Sequence, residues 1–200
     1  MTCVASYVDP EGNIFMGGDS IGICGGTYCI VRDPKVFIRR NMIFGFVESF
    51  RMGDILKYDF QIPDHPKDFS TYQYLTSIFI PTLLERYEER RFLTITDNVA
   101  ISNVFLLGYD KRIFKIEMDM AIIENSKNYD SAGCGESFAK ATFFLLEKSE
   151  LSPKEKIEKA LNVASEFSLV KPPFEILYLS SDSGLNSEKR EQKIKKRKNS

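Results

Sequence analysis

The sequence predicts an α+β domain in which two β-layers face each other and helices cover both outer faces, a four-layer αββα sandwich. The predicted elements follow the order strands, two helices, strands, two helices, strand. Elements with one apolar face or stripe bury it against another layer, which gives this stacking. A chain of 200 residues with 43% hydrophobic residues is enough for one sizeable core.

The first strands begin close to the N-terminus. The segments TCVASYV and NIFMGG are joined by the turn DPEG, where Pro10 and Gly12 supply the turn chemistry, so a hairpin is predicted. YCIVR and KVFIRR are predicted strands separated at Asp33 and Pro34, and the apolar run MIFGFV is a predicted buried strand.

Two helices are predicted after these strands. Ser49 can cap the first, whose apolar face carries Met52, Ile55 and Leu56. The second extends from about Thr71 to Arg90, and Pro81 inside it predicts a kink or a break. Its apolar residues recur every four positions, at Leu75, Phe79, Leu83 and Tyr87.

The second half repeats this order. Strands are predicted in SNVFLLGY, RIFKIEMD, AIIEN and YDSAGCG. A helix should begin near Glu136, and another after Ser152, which caps it, with Pro153 in its first turn, ending near Phe167. FEILYLS is the last predicted strand. The apolar face predicted for the helix at Glu136 consists of Phe138, Ala141, Phe144 and Leu145.

The charge distribution divides the chain into a domain and a tail. The net charge is -1, so no bulk attraction to nucleic acid is expected. From Glu188 onward, seven Lys/Arg and two Glu give a local charge of +5 and leave -6 on the preceding residues. Residues 1–182 are predicted to form one domain, and residues 183–200 a basic disordered tail.

Targeting and cysteine patterns indicate a cytoplasmic protein with reduced thiols. The N-terminus has no secretory pattern, and no apolar run reaches the roughly 18 residues of a membrane helix. The four cysteines, Cys3, Cys24, Cys29 and Cys134, form no CxxC pair, and the one histidine, His65, is predicted to be exposed in a PDHP loop. A zinc site is not expected, and no metal or organic cofactor is implied.

The first fifty residues carry the motifs that point to chemistry. They are Met1-Thr2-Cys3-Val4, Gly17-Gly18-Asp19-Ser20 and Asp33-Pro34-Lys35-Val36. On these motifs the chain resembles the proteasome β-subunit family, especially the HslV-type peptidase, from about residue 1 to residue 179. The resemblance implies an N-terminal-nucleophile hydrolase with Thr2 as nucleophile, and Asp19 and Lys35 beside it.

The chemistry of these residues supports the same mechanism. A threonine hydroxyl needs an adjacent base, and a free α-amine, with a pKa of about 7.7–8.0, is close to the operating pH of one. Met1 before a small residue is a favourable substrate for methionine aminopeptidase, so Thr2 can become the first residue. Lys35 would favour the alkoxide and the neutral amine, and Asp19 is its natural partner, since an unpaired buried cation is costly.

The resemblance also implies supporting residues, each with a departure from the family pattern. Ser49 corresponds to the oxyanion-hole residue, often glycine, whose backbone N–H would stabilise the tetrahedral intermediate. Cys134 stands where the family usually has a serine. Glu166 and Ser168 correspond to a late Asp and Ser that support the threonine, in a loosely spaced match.

The resemblance implies a peptide or unfolded-protein substrate and self-assembly into a homo-oligomer, a ring or a dimer. It leaves open whether an ATP-dependent unfoldase feeds such a ring. Two alternatives stay open: a catalytically idle proteasome-like assembly subunit, and a dimeric small-molecule amidase. Cys3 as the nucleophile would require the loss of Thr2, so Cys3 is predicted to lie in the core. Packing is favoured over pocket lining for Cys24 and Cys29.

Overall fold

The computed structural model describes residues 2–24 and 27–182, so the predicted tail at residues 183–200 lies outside the described residues. In chain order the strands are β1 (Cys3–Val8), β2 (Ile14–Asp19), β3 (Ile21–Cys24), β4 (Thr27–Ile30), β5 (Val36–Arg39), β6 (Met42–Phe46), β7 (Thr94–Thr96), β8 (Val99–Ile101), β9 (Phe105–Tyr109), β10 (Arg112–Ile116), β11 (Ile122–Ile123), β12 (Tyr129–Gly133) and β13 (Phe174–Leu179). The α-helices are α1 (Phe50–Asp54), α2 (Thr71–Tyr74), α3 (Ile80–Glu89), α4 (Glu136–Leu146) and α5 (Pro153–Phe167). π-Helical turns follow α1 at Ile55–Asp59 and α2 at Leu75–Phe79.

Two antiparallel sheets form the centre of the molecule. One has four strands in the order β12-β1-β2-β13, and the other has five in the order β11-β10-β9-β6-β5. The predicted N-terminal hairpin is confirmed, with Val4 opposite Gly18 and Val8 opposite Ile14 in β1 and β2. Gly12 has a φ of 82° in its turn, a conformation that favours glycine.

Three hydrophobic clusters show how the layers stack. One lies between the sheets, where Val4, Met16 and Ile43 are almost fully buried. A second lies between the four-stranded sheet and helices α4 and α5, and a third between the five-stranded sheet and the helical segments from residue 50 to residue 89. The four-layer αββα sandwich predicted from the order of elements is therefore confirmed.

The predicted helix starts agree with the structure. The Ser49 side chain accepts a hydrogen bond from the Met52 N–H at the start of α1. Ser152 and Glu155 form a reciprocal capping box at the start of α5, with Pro153 in the first turn. None of the helices within the described part of the chain combines the length and apolar character needed to cross a bilayer.

Pro81 changes the second helical stretch without ending it. The chain stays helical from Thr71 to Glu89, but the Ile80 N–H donates to the Leu75 carbonyl, five residues earlier, in a π-helical turn. Proline has no N–H, and its ring crowds the carbonyl four residues before it, so the ladder is irregular next to Pro81. The predicted kink or break thus takes the form of a widened turn.

The apolar face predicted for α4 is wrong. Ala139, Thr142 and Phe143 are its buried residues. Phe144 and Leu145, which were expected to pack, are 64% and 80% exposed. Both faces of α4 carry apolar residues, and contact with α5 and β12 determines which face is covered.

Three other features differ from the sequence predictions. The hairpins β3–β4 and β7–β8 form separate two-stranded sheets, and of these four strands only β4 corresponds to a predicted strand. His65 is half-buried rather than exposed: its ring stacks on Tyr74, and its two nitrogens contact the Tyr109 hydroxyl at 2.6 Å and the Phe69 carbonyl at 2.9 Å. These partners explain how a polar ring is held in a Pro-flanked loop.

Candidate active site

Thr2, Asp19 and Lys35 lie together at one end of the two sheets. The Lys35 ammonium donates to the Thr2 hydroxyl, with Nζ 2.7 Å from Oγ1, and to the Asp19 carboxylate, with Nζ 2.7 Å from Oδ2. Thr2 precedes β1, Asp19 ends β2 and Lys35 precedes β5, so strand geometry sets all three positions. They are 3%, 0% and 2% exposed.

The Asp19 carboxylate is held from three directions. Its Oδ1 accepts from the Cys3 N–H at 2.9 Å, and its Oδ2 accepts from Lys35 and, at 3.3 Å, from the Ile21 N–H. A buried carboxylate is tolerated when it is paired and its oxygens accept hydrogen bonds. Asp19 thus balances the charge of Lys35 and also fixes the backbone directly after Thr2.

Gly45 in β6 allows the five-stranded sheet to approach the four-stranded sheet closely near the candidate site. A Cβ at this position would lie 2.4 Å from Val4 Cγ1 and 2.7 Å from the Met16 sulfur. Gly45 pairs with Val36, the residue after Lys35, so close contact between the sheets brings Lys35 near Thr2. This role could not be predicted from the sequence, because it depends on which residues face each other between the layers.

The turn between β12 and α4 holds the Thr2 backbone. The Cys134 N–H donates to the Thr2 carbonyl at 2.9 Å. Gly133 has a φ of 95°, and a Cβ on it would lie 2.1 Å from the Thr2 oxygen, so only glycine fits without displacing Thr2. Cys134, a predicted site residue, thus contacts Thr2 through its backbone amide, whereas its thiol is free and exposed.

Solved structures share this architecture. BPH from Thiobacillus denitrificans has a TM-score of 0.74 at 19% identity, covering 90% of this chain and 98% of its own; its complex with epoxomicin has a TM-score of 0.74 at 18% identity, covering 88% and 98%. Eukaryotic HslV from Trypanosoma brucei has a TM-score of 0.61 at 15% identity, covering 89% and 99%. The chain therefore has the proteasome-like fold that these proteins share. The sequence matches no protein-family model, and no curated protein is similar enough to it to match.

In this proteasome-like fold, the predicted oxyanion donor lies in a tight turn beside the site. The Ser49 N–H donates to the Val47 carbonyl at 2.8 Å, and Glu48 between them has a φ of 67°. The Glu48 carboxylate accepts from the Asn103 side chain. The Phe50 ring, after the turn, lies 5.6 Å from Lys35 Nζ. The Ser49 amide is therefore engaged within the turn in this conformation.

Glu166 and Ser168 lie at the C-terminal end of α5. Glu166 is exposed, and the Ser168 hydroxyl donates to the Ala164 carbonyl at 2.6 Å. Within residues 2–24 and 27–182, neither side chain forms a hydrogen bond or ion pair with Thr2, and their supporting role stays a prediction.

The other cysteines differ in environment. Cys3 is fully buried against α4 and α5, as predicted, and burial raises the pKa of its thiol far above the usual range. Such a thiol stays protonated and unreactive. Cys29 is exposed, so the packing expected for it is wrong.

Proposed function

We propose that this chain is an N-terminal threonine peptidase or amidohydrolase of the proteasome β-subunit type, acting through Thr2 after Met1 has been removed. The observation that carries the proposal is the buried contact of the Lys35 ammonium with the Thr2 hydroxyl and the Asp19 carboxylate, each at 2.7 Å. A lysine that donates to a threonine hydroxyl in a water-poor site favours the ionised form of that hydroxyl.

The proposed reaction begins with proton transfer from the Thr2 hydroxyl to its own α-amine. Oγ1 attacks the scissile carbonyl carbon, and the carbonyl oxygen becomes an oxyanion. Collapse of this intermediate breaks the C–N bond, and the leaving amine takes the proton from the Thr2 ammonium. Water, deprotonated by the same amine, then attacks the acyl ester and releases the carboxylic acid, which restores Thr2.

Lys35 and Asp19 have an electrostatic role in this proposal. The Lys35 charge lowers the energy of the alkoxide as it forms and disfavours protonation of the nearby amine. Asp19 stabilises the Lys35 ammonium, since burying an unpaired ammonium would cost several kcal/mol. The Asp19 hydrogen bond from the Cys3 N–H also keeps Thr2 in register with Lys35.

The Ser49 amide is the proposed hydrogen-bond donor to the oxyanion, and this role requires a change in the turn that contains it. Its N–H would have to release the Val47 carbonyl, which it contacts at 2.8 Å, before it could donate to the developing oxyanion. A small rotation in the turn around Glu48 would accomplish this change.

The proposed substrates are peptides or unfolded proteins, and the proposed assembly is a homo-oligomer, a ring or a dimer, in the cytoplasm. An ATP-dependent unfoldase belongs to the same proposal as a candidate partner. Light scattering distinguishes a dimer from a ring, and the dimeric small-molecule amidase would share the site but not the ring.

Epoxomicin tests the proposed function directly, because one of the similar solved structures, BPH, is a complex with it. An epoxyketone of this kind reacts with both the hydroxyl and the amine of an N-terminal threonine. We expect purified full-length protein to lack Met1 by intact mass, to hydrolyse fluorogenic peptides, and to carry one epoxomicin on Thr2 by peptide mapping.

Variants at Thr2 complete the test. Thr2→Ala should abolish hydrolysis and labelling with an unchanged circular dichroism spectrum, whereas Thr2→Ser, which keeps a hydroxyl, should retain measurable activity. Hydrolysis by Thr2→Ala at the wild-type rate would reject the mechanism. Retention of Met1 with no labelling would favour the catalytically idle subunit.

A further inference from the structure

A group of charged residues lies directly behind the turn that holds Thr2. It consists of Lys115 on β10, Glu117 after it, Asp130 on β12, and Glu136 and Lys140 on α4, which we term the β12–α4 ion network. It connects the five-stranded sheet, the four-stranded sheet and a helix. The proposed mechanism uses none of these five residues.

Glu136 is at the centre of the β12–α4 ion network. Its two carboxylate oxygens each lie 3.0 Å from Lys115 Nζ, and Oε1 also lies 2.7 Å from Lys140 Nζ. Lys140 contacts the Asp130 carboxylate at 2.8 Å as well. Hydrogen bonds from both lysines outweigh the effect of burial and lower the pKa of Glu136 below its usual value. Glu136 is therefore the group that two cations from different layers share.

Ser131, beside the β12–α4 ion network, connects the backbone on the two sides of the turn. The Ser131 hydroxyl donates to the Glu136 carbonyl at 2.9 Å, and the Ser131 N–H donates to the Asp130 carboxylate at 2.7 Å. Asp130 is 2% exposed, so its charge depends on Lys140 for compensation. Strand and helix are thus tied together across Gly133 and Cys134, the two residues that contact the Thr2 carbonyl.

We propose that Glu136 is a positioning residue for Thr2, acting through the Gly133–Cys134 turn. The turn contacts Thr2 at two points, the Cys134 N–H and the glycine that faces the Thr2 oxygen. A shift of about 1 Å in a reacting group can reduce a rate about 100-fold, so a carboxylate that fixes this turn affects the reaction without touching substrate. This inference rests on the proposed function, because the rate concerned is that of Thr2.

Glu136→Gln in the full-length protein tests the inference, and Glu124→Gln is its matched control. Each carboxylate is 28% exposed and pairs with a cation on β10, Lys115 for Glu136 and Arg112 for Glu124. We expect Glu136→Gln to lower kcat for a fluorogenic peptide about 10-fold with KM within about two-fold. Glu124→Gln should leave kcat within about two-fold of the wild type.

Hydrogen exchange supplies a second measurement that does not depend on activity. The Cys134 amide, measured relative to Leu107 in the central strand β9, should exchange about 10-fold faster in Glu136→Gln and at the wild-type rate in Glu124→Gln. Unchanged Cys134 exchange, or equal losses of kcat in both variants, would overturn the inference. If wild-type protein neither hydrolyses peptides nor reacts with epoxomicin, the proposed function fails, and the Cys134 exchange still decides whether Glu136 holds the turn.

Discussion

The two parts of the candidate site differ in how the fold holds them. Thr2, Asp19 and Lys35 are buried, joined by direct hydrogen bonds, and attached to the ends of paired strands. Glu166 and Ser168, at the end of α5, are respectively exposed and bonded to the helix's own backbone. The difference shows that residues at the ends of paired strands are placed by a hydrogen-bonded register, whereas the end of a helix has no such register to place its side chains.

Lys35→Met should produce the largest effect in this comparison. It keeps the approximate length of the side chain but leaves the fully buried Asp19 carboxylate without its cation. We expect the free energy of unfolding to fall by about 3–5 kcal/mol and peptide hydrolysis to be lost. Chemical denaturation and a fluorogenic peptide assay measure the two quantities.

Lys57→Met is the control for this variant. Lys57 also pairs with an aspartate, Asp33, but that carboxylate is 49% exposed. The loss should stay below about 1 kcal/mol, since exposed ion pairs contribute little. Peptide hydrolysis by Lys35→Met at a rate near that of the wild type would show that Lys35 is not needed for the reaction.

Gly133→Ala should have the next largest effect, because it displaces the Thr2 backbone, whereas Lys35 contacts the Thr2 hydroxyl. Its φ of 95° strains any L-residue, and the new Cβ would lie 2.1 Å from the Thr2 oxygen. We expect a loss of about 2–4 kcal/mol in unfolding free energy and at least about a 10-fold loss of kcat.

Gly12→Ala controls for backbone strain alone. Gly12 has a φ of 82°, and the nearest atom to an added Cβ belongs to the flexible Lys111 side chain. This variant should lose about 1–2 kcal/mol and keep its kcat. An equal loss of kcat in both variants would show that strain, and not the contact with Thr2, governs the effect.

Glu166→Gln should have the smallest effect. Because Glu166 is exposed and takes no part in the hydrogen bonds around Thr2, we expect unfolding free energy within about 0.5 kcal/mol of the wild type, and kcat within about two-fold. A kcat 10-fold or more below the wild type, with unchanged stability, would instead support the role that the family resemblance implies for this residue.

Helix α4 shows where sequence reasoning about the fold reaches its limit. Its existence and its start near Glu136 follow from periodicity, and the structure confirms both. Its buried face does not follow, since Phe143 packs while Phe144 and Leu145 are exposed. Adjacent apolar residues satisfy two helical faces equally well, and α5 and β12 supply the contacts that distinguish them.

The candidate site, like helix α4, has features that were predicted and features that were not. The family resemblance carried by Thr2, Asp19 and Lys35 predicted that they meet, and the structure joins them by direct hydrogen bonds. The contribution of Gly133 and the central position of Glu136 could not be predicted, since each depends on which turn faces Thr2. The engaged amide of Ser49 depends instead on the positive φ of Glu48.

The sequence by itself determined the kinds and order of the elements, the N-terminal hairpin and the helix caps. These are local in origin, since turn chemistry, side-chain caps and apolar periodicity act within a few residues. Only the tertiary structure decided which face of α4 is covered, how close the sheets come at Gly45, and which groups surround the Thr2 carbonyl. Those features arise from packing between different segments of the chain, as for Thr2 and Cys134, and no local pattern encodes their distances.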